Sequence, residues 1–523
     1  MAPKKQEDSY TSSVMETASK AIVRGSEWSD KDDLLDVVYW GKQIFALVIG
    51  IACGILPASG LISIGIYVAL STLAGHYYVT QFQNMDEEAM GGFFEVAKEG
   101  FGSALATFLV SWIGSIDILL THEEFPNAEG AWAFWPIIHQ LKDRYDVAGT
   151  PNWLVIGESF TQYNLRLLDA LLVDAEQSNA NLLGRGLVDD EPTIIHHFHG
   201  FDRDISSPPF QYFDFSSGVA ISRQLLEQIF DVPISSYPSG FTIDAKFEFT
   251  KFINDTTGVT LKSTKSFCYE KDSECVTWFK PPSNLPSPPC RLPGSVNNEN
   301  VFFAVKTFTG FHKTRVVVIK RTWARTAKLV EYFSDSEDRF IPTIDLGVEN
   351  TKRGHCKKTL AILRHFLEHR DLQHVPWLIV ADDDTLLSVE RLYRLLDCVD
   401  QVRPVIVGER YGYGFAADGK GGYSYPTGGS GMVFSRSSAE LLANKCECPS
   451  VDSPDDMILG ICAKRLAIPI VHSAAFHQAR STDYSGEYLH KLPIISLHKF
   501  EEIDPYKDYM ELLHTPSNRH EEL

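Results

Sequence analysis

The sequence predicts an α/β protein built from two similar domains that follow an all-α membrane module of three helices. Two observations support this prediction. A long N-terminal stretch lacks charged residues, whereas the rest of the chain alternates strand-like apolar runs with helical patterns. One strand and helix pattern also occurs twice, in the same order and at similar spacing, which indicates an internal repeat. The length of 523 residues agrees with about three domains.

The charge balance argues against nucleic acid as a partner. The chain has 48 Lys and Arg residues against 68 Asp and Glu residues, a formal net charge of −20. A broad nucleic-acid footprint needs a basic surface, because it must neutralise many phosphates. A ligand with only a few phosphates remains compatible with this composition when a metal ion meets it.

The membrane module is predicted from an uncharged segment. Residues 43–85 contain no Asp, Glu, Lys or Arg, and residues 56–60 supply turn-forming Pro, Ser and Gly near the middle. A membrane helix needs about 20 apolar residues, so this segment holds two, and residues 100–116 form a shorter third. Basic residues in the preceding tail favour a cytosolic N-terminus, which places everything after the third helix in the lumen. The alternative is a pair of buried core helices.

Three short motifs in this region resemble a known family. They are Trp28-Ser29-Asp30-Lys31-Asp32, Val38-Tyr39-Trp40 and Lys98-Glu99-Gly100-Phe101. They resemble the three-span Rab-interacting family, also called OPTI, over residues 25–117. The resemblance implies contact with the lipid bilayer and with the membrane-protein insertion machinery, and it implies no catalysis.

Two segments of the remaining chain match each other. The matching parts are a strand that begins with Trp, a helix, and a second strand that ends in Ser-Arg. In the first copy these are residues 153–156, 165–172 and 218–223. In the second copy they are residues 377–380, 387–396 and 431–436. The first copy is shorter at its front, so we expect its opening strand and helix to be missing. The predicted boundaries are a cytosolic tail at 1–36, the membrane module at 37–120, the first copy at 121–265, a Cys/Pro-rich linker at 266–299, the second copy at 300–513 and a tail at 514–523.

Three adjacent aspartates mark the candidate site. Asp382, Asp383 and Asp384 directly follow the strand of the second copy, whereas the first copy has Glu158-Ser159-Phe160 at that place. Adjacent carboxylates repel one another, and a divalent cation that prefers oxygen ligands, Mg²⁺ or Mn²⁺, is the usual counter-charge. The strand delivers them to its C-terminal end, where open α/β sheets bind ligands. The alternative is a solvated acidic turn at the start of a helix.

Two further motifs of the second copy are candidates for the same site. Residues 427–431, Thr-Gly-Gly-Ser-Gly, follow a Gly- and Tyr-rich run at 408–414. This composition suits close backbone approach and a sugar pocket, and the alternative is a mobile surface loop. Asp455 and Asp456 precede a helix predicted at 458–464, where one carboxylate caps the helix and the other acts as a general base.

Taken together, these motifs resemble one family of transferases. They are Asp-Asp-Asp, Gly-Glu-Arg-Tyr-Gly-Tyr-Gly, Thr-Gly-Gly-x-Gly-Met-Val-Phe-Ser, Pro-Asp-Asp-Met and Phe-His-Gln-Ala-Arg. They resemble the Fringe-type β-1,3-glycosyltransferases over residues 118–523, and most closely the glucosyltransferases among them. The resemblance implies a GT-A-like fold and inverting transfer of glucose from UDP-glucose to O-linked fucose on thrombospondin type 1 repeats. Relatives with similar triplets use galactose or N-acetylglucosamine.

The resemblance also implies a role for each site residue. Asp382 and Asp384 hold Mn²⁺ (or Mg²⁺) on the diphosphate, and His498 completes the metal site, with His477 as the second choice. Asp456 is the base that deprotonates the acceptor hydroxyl, and Asp455 is the second candidate. The residues implied to contact the donor are Lys306, Thr307, Asp382, Asp383, Gly428 and Gly429.

The C-terminal residues and the cysteines indicate the endoplasmic reticulum membrane, with the catalytic part in the lumen. His520-Glu521-Glu522-Leu523 resembles the Lys-Asp-Glu-Leu retrieval signal, which acts only on luminal proteins. Eight of the nine cysteines follow residue 260, an even number that permits disulfides there. Cys446 and Cys448 are too close together for a usual zinc pair, so we expect each to form a disulfide elsewhere.

Two rival interpretations remain at this point. In the first, the chain is a non-enzymatic insertion or assembly factor of the endoplasmic reticulum membrane whose luminal part only binds glycoprotein. In the second, a merged gene model joins two separate proteins, an idea motivated by the shortened first copy.

Overall fold

A computed structural model describes most of the chain. The described residues are 17–28, 30–55, 61–86, 88, 92–113, 118–148, 151–175, 181–189, 209–237, 240–279, 296–417 and 420–515. The turn predicted at 56–60, the Pro-rich part of the linker and the C-terminal retrieval signal lie outside them. The chain divides into two compact units, Met1–Leu120 and Thr121–Leu523.

The first unit is helical. Its described α-helices are α1 (Lys31–Ile55), α2 (Leu61–Tyr77), α3 (Phe93–Lys98) and α4 (Phe101–Ile113). The Tyr67 and Phe108 rings stack with their centroids 4.1 Å apart, and the Lys42 ammonium donates hydrogen bonds to three carbonyl groups around the end of α3. Within the described part of this unit and of the whole chain, we find no helix with both the length and the hydrophobicity required to cross a membrane.

The second unit is a mixed α/β structure, as predicted. Its strands are β1 (Trp153–Ile156), β2 (Thr161–Tyr163), β3 (Leu182–Gly184), β4 (Gly186–Leu187), β5 (Tyr212–Phe213), β6 (Val219–Ser222), β7 (Phe241–Thr242), β8 (Lys262–Ser263), β9 (Phe267–Cys268), β10 (Thr277–Phe279), β11 (Val301–Lys306), β12 (Leu329–Ser334), β13 (Thr343–Asp345), β14 (Trp377–Asp382), β15 (Thr385–Leu387), β16 (Ile406–Gly408), β17 (Arg410–Tyr413), β18 (Tyr423–Pro426), β19 (Met432–Ser435), β20 (Ile470–His472) and β21 (Ser496–His498). Its α-helices are α5 (Thr121–Glu124), α6 (Ile138–Ala148), α7 (Leu165–Ala175), α8 (Arg223–Phe230), α9 (Ala245–Thr257), α10 (Arg315–Arg321), α11 (Cys356–Glu368), α12 (Val389–Leu396), α13 (Arg436–Lys445), α14 (Asp455–Arg465), α15 (Gly486–Lys491) and α16 (Pro505–Asp508).

A seven-stranded sheet forms the centre of the second copy. Its strand order is β13-β12-β11-β14-β19-β16-β20, and β11 to β14 are parallel to their neighbours in that half of the sheet. The apolar residues of β11 and β14 are almost fully buried, because helices cover both faces of such a sheet. Lys306 pairs with Asp382 in the β11–β14 register, so the carboxyl ends of these two strands lie side by side.

The first copy repeats the strand pairing of the second. Trp153 pairs with Ser222 in the first copy as Trp377 pairs with Ser435 in the second. A backbone hydrogen bond of 2.8 Å closes each pair, from Arg223 to Asn152 and from Arg436 to Pro376. Among the described residues before Trp153 the first copy has helical elements and no strand, in agreement with the shortened front.

Two helix starts differ from the prediction. The helix predicted at 387–396 begins at Val389, because Thr385–Leu387 forms strand β15 and pairs with Ser496–His498 instead. The helix predicted at 458–464 begins earlier, at Asp455. Its first turn therefore contains both acidic residues, where the positive end of the helix dipole favours negative charge. Neither carboxylate caps the helix as predicted, because the N-cap position is taken by Pro454.

The expected disulfides are present. Cys356–Cys448 and Cys446–Cys462 connect the ends of helices α11, α13 and α14, and Cys268–Cys275 closes a short loop after the first copy. Cys398 is disulfide-bonded as well. Cys446 and Cys448 each have a partner elsewhere in the chain, as the sequence analysis predicted.

Candidate active site

The aspartate triplet meets basic side chains at the carboxyl ends of β11 and β14. The Lys306 ammonium lies 3.0 Å from an Asp382 carboxylate oxygen and 2.6 Å from an Asp455 carboxylate oxygen. The Thr307 hydroxyl donates a hydrogen bond of 2.6 Å to Asp383. Lys306 and Thr307, predicted from the sequence, therefore contact the acidic cluster directly.

Asp382, Asp384 and His498 form a group that fits a divalent metal ion. One ligand atom from each lies within 4.8 Å of the others, and the β15–β21 pairing brings His498 opposite Thr385. His498 Nδ1 lies 2.9 Å from the Gln478 carbonyl oxygen, a contact that fixes the ring and leaves Nε2 facing Asp384 at 3.2 Å. Two carboxylates and an imidazole suit Mn²⁺ or Mg²⁺, and the outer contact to Gln478 is typical of metal-binding histidines.

Arg315 neutralises the triplet from the other side. Its guanidinium lies 2.8 Å from Asp384 and 3.3 Å from Asp383. Burial raises the pKa of Asp384, but His498 and Arg315 outweigh it and leave the pKa below its usual value. Asp384 is therefore ionised at neutral pH and available to a cation.

The two acidic residues at the start of α14 have different environments. Asp455 is buried and accepts hydrogen bonds of 2.6 Å from both Lys306 and Thr359. Burial raises the pKa of Asp455, yet the Lys306 charge outweighs it and sets the pKa at about 2. Burial and the neighbouring Asp455 carboxylate raise the pKa of Asp456 to about 7. Such divergent values distinguish a fixed carboxylate from one that can exchange a proton near neutral pH.

The glycine motif allows backbone to approach both parts of the site. The Gly428 N–H lies towards the Asp456 carboxylate and lowers its pKa slightly. The Gly429 carbonyl accepts a 2.8 Å hydrogen bond from the Thr385 hydroxyl, and a Cβ on Gly429 would overlap the His498 imidazole. A side chain at Gly429 would therefore obstruct the metal group, whereas a Cβ at Gly428 would have room.

His477, the second choice for the metal site, lies elsewhere in the fold. Its ring packs edge-on against Tyr484 and Tyr488, and it is outside the group formed by Asp382, Asp384 and His498. Burial lowers the pKa of His477 to about 3, so it is a neutral core histidine.

The first copy retains the backbone of this site but not its ligands. The Glu158 N–H donates to the Thr161 hydroxyl as the Asp382 N–H donates to the Thr385 hydroxyl. The strand pairing that places His498 opposite Thr385 places Phe279 opposite Thr161. Counting along the chain, Phe160 stands at the place of Asp384. Two of the three candidate metal ligands are thus replaced by phenylalanine.

A cleft of about 270 Å³ opens beside Asp456. Among its lining residues are Tyr411 of the predicted Gly- and Tyr-rich run and Tyr425. Aromatic faces next to a carboxylate suit a sugar, as the sequence analysis expected.

Sequence reasoning missed three residues that contact the site. Arg315 and Thr359 lie on helices with no motif of their own, and Gln478 contributes through its backbone carbonyl. Only Gln478 carried a signal, because it lies within the Phe-His-Gln-Ala-Arg motif.

Comparison with known proteins supports both resemblances found in the sequence. A Fringe-like family model matches residues 296–514, and an EMC6 family model matches residues 37–115. A β-1,3-glucosyltransferase of Mus musculus is 44% identical over 399 residues, which cover 75% of this chain and 78% of that protein. The β-1,3-N-acetylglucosaminyltransferase manic fringe of Danio rerio is 28% identical and covers 44% of this chain and 66% of that protein. The GEL complex subunit OPTI of Mus musculus is 40% identical and covers 18% of this chain and 74% of that protein.

The same substitution is expected to affect stability differently at the two adjacent glycines, Gly428 and Gly429. Gly429→Ala should destabilise the protein by about 1–3 kcal/mol, because the new methyl group forces the His498 ring to move. Gly428→Ala is the matched control, since its Cβ meets no atom closer than 3.9 Å. Urea denaturation and Mn²⁺ titration of both variants test this. If both variants lost stability and metal affinity to the same extent, the placement of His498 against Gly429 in the metal site would be contradicted.

Proposed function

The chain belongs to the Fringe-like β-1,3-glucosyltransferase family, and from this membership and the geometry of its site we propose a specific reaction. The enzyme transfers glucose from UDP-glucose to the 3-hydroxyl of O-linked fucose on thrombospondin type 1 repeats, with inversion at the anomeric carbon. The observation that carries the proposal is the close placement of a group that fits a metal ion and a separate carboxylate, Asp456, beside a sugar-sized cleft.

In this proposal the metal group holds the donor. Asp382, Asp384 and His498 would hold the cation, and Lys306 and Arg315 keep the surrounding carboxylates charged and in place. A bound Mn²⁺ or Mg²⁺ supplies positive charge that stabilises the leaving diphosphate. Thr307 fixes Asp383 by its 2.6 Å hydrogen bond, so that the triplet has one defined arrangement before the donor binds.

Asp456 is the general base of the proposed reaction. It removes the proton from the fucose 3-hydroxyl as that oxygen bonds to the glucose anomeric carbon and the bond to the diphosphate breaks. The Met457 N–H donates a 2.7 Å hydrogen bond to its carboxylate and orients it. Asp455, the second candidate for this role, positions Lys306 instead, because a carboxylate with a pKa of about 2 is a weak base.

The N-terminal unit favours a second, separate function. The chain belongs to the OPTI family over this region, and we propose that the unit associates with membrane-protein insertion machinery. The corresponding location is the endoplasmic reticulum membrane, with the transferase in the lumen. Glycosylation of client proteins as they enter the lumen would be the consequence of carrying both functions on one chain.

Association with the insertion machinery predicts a specific set of co-purifying proteins. Affinity-tagged full chain, solubilised from microsomes in a mild detergent, should recover subunits of a GEL-type complex. The matched control replaces residues 1–120 with a cleavable signal peptide and should recover none of them. Equal recovery with both proteins would show that the N-terminal unit has no such role.

The proposed reaction predicts that only one nucleotide sugar, UDP-glucose, serves as the donor. The full chain, supplied with Mn²⁺ and a fucosylated thrombospondin repeat, should release UDP from UDP-glucose but not from UDP-galactose or UDP-N-acetylglucosamine. Asp456→Asn should reduce the rate about 10²–10⁴-fold while UDP and Mn²⁺ still bind, and the exposed Asp452→Asn is the control. A rate unchanged by Asp456→Asn, or release from another donor, would refute the assignment.

The raised pKa of Asp456 predicts how the rate depends on pH. Because the base must be ionised and its pKa is about 7, kcat/KM should fall as the pH drops below 7 and should level off above it. A pH–rate profile between 5.5 and 8.5 at saturating Mn²⁺ measures this. A profile that is flat through pH 7 would exclude Asp456 as the group that titrates.

A further inference from the structure

One wall of the cleft beside Asp456 comes from the first copy. Phe241 and Ile243 line the cavity together with Tyr411, Tyr425 and Gln478 of the second copy. The volume of about 270 Å³ lies just below the range of about 300–1,000 Å³ that is usual for ligand pockets. The cleft therefore has room for one sugar ring rather than an extended chain.

Strand β7 brings these residues to the site. It pairs antiparallel with β17, with Thr242 opposite Gly412, and the Gly414 N–H donates a 2.8 Å hydrogen bond to the Gly240 carbonyl. The Phe241 and Tyr413 rings meet edge-on with their centroids 4.9 Å apart. The first copy thus extends the β17–β18 hairpin, whose β18 strand leads into the glycine motif of the active site.

The position of Ile243 is fixed by the helix that follows it. The Ile243 N–H donates a 2.6 Å hydrogen bond to the Glu248 carboxyl group, and Asp244 caps helix α9 through the N–H groups of Lys246 and Phe247. Ile243 therefore lies on a rigid turn of the first copy. Such support is what a specificity-determining contact needs.

The two walls of the cleft differ in chemistry. On the second-copy side the lining includes the polar residues Thr427, Asp456 and Gln478, whereas the side chains of Phe241 and Ile243 are only hydrocarbon. A sugar hydroxyl that faces hydrocarbon loses its hydrogen bonds with water and gains none in return. A methyl group in the same place is buried favourably.

We infer that Phe241 and Ile243 are the residues that select the acceptor, and that they favour a 6-deoxyhexose over the same sugar with a hydroxymethyl group. This inference rests on the proposed function, because it places the acceptor beside Asp456. It gives the first copy, which lacks the metal ligands, a direct role in the reaction of the second. Phe241 and Ile243 select by contact and take no part in proton transfer.

Direct binding of small acceptor analogues tests the inference independently of catalysis. The probes are methyl α-L-fucoside and methyl α-L-galactoside, which differ only in the methyl and hydroxymethyl group, titrated into the full chain by NMR with UDP and Mn²⁺ present. Wild type should bind the fucoside more tightly. Ile243→Ser and Phe241→Ala should weaken fucoside binding about 10–100-fold, should reduce the preference over the galactoside, and should leave UDP affinity unchanged.

Two controls separate specificity from folding. Ile243→Val keeps the wall apolar and should retain the preference, and Val173→Ser makes a comparable change at an exposed apolar residue of the same copy. Unchanged fucoside binding in Ile243→Ser and Phe241→Ala would overturn the inference. If the wild type bound both sugars equally, or bound neither, the inference would also be overturned. One further result would separate the inference from the proposed function. If the wild type binds the fucoside selectively and the variants do not, but the wild type transfers no glucose, the inferred pocket is confirmed and the proposed reaction is wrong.

Discussion

The need to neutralise clustered carboxylates governs the structure of the second copy. Asp382, Asp383 and Asp384 converge with the acidic start of helix α14 at one edge of a buried sheet, where unpaired charges are costly. Lys306 joins the two groups, with contacts of 3.0 Å to Asp382 and 2.6 Å to Asp455. Strand β11 must therefore lie beside β14, and helix α14 must begin against both of them.

The relation between the two copies shows which features belong to the fold and which to the chemistry. The first copy keeps the strand register and the threonine hydrogen bond of the second, but it has phenylalanine in place of two candidate metal ligands. Some of its polar groups contact the second copy. Lys246 lies 4.1 Å from the centre of the Tyr488 ring, and Arg185 forms an ion pair with Glu487. These contacts join the first copy to the second.

The sequence was most informative where local pattern determines structure. The sequence predicted the apolar strands that begin at Trp153 and Trp377, because burial favours consecutive apolar residues. It also predicted the candidate site after Trp377, because adjacent carboxylates repel one another and need a counter-charge. The local pattern left open which of Asp455 and Asp456 serves the site, and only the family resemblance favoured Asp456. Their different environments depend on Lys306 and Thr359, which lie far away in the chain. Arg315 and Ile243 were missed for the same reason, because their contacts arise only when the helices and the two copies pack.

The pairing of β15 with β21 has a consequence for biosynthesis. The ribosome produces the aspartate triplet long before it produces His498, and domains generally fold in the order in which they emerge. A nascent or interrupted chain can form the central sheet with its carboxylates and still lack the imidazole that completes the group. The group formed by Asp382, Asp384 and His498 is therefore complete only once strand β21 has been synthesised and has paired with β15.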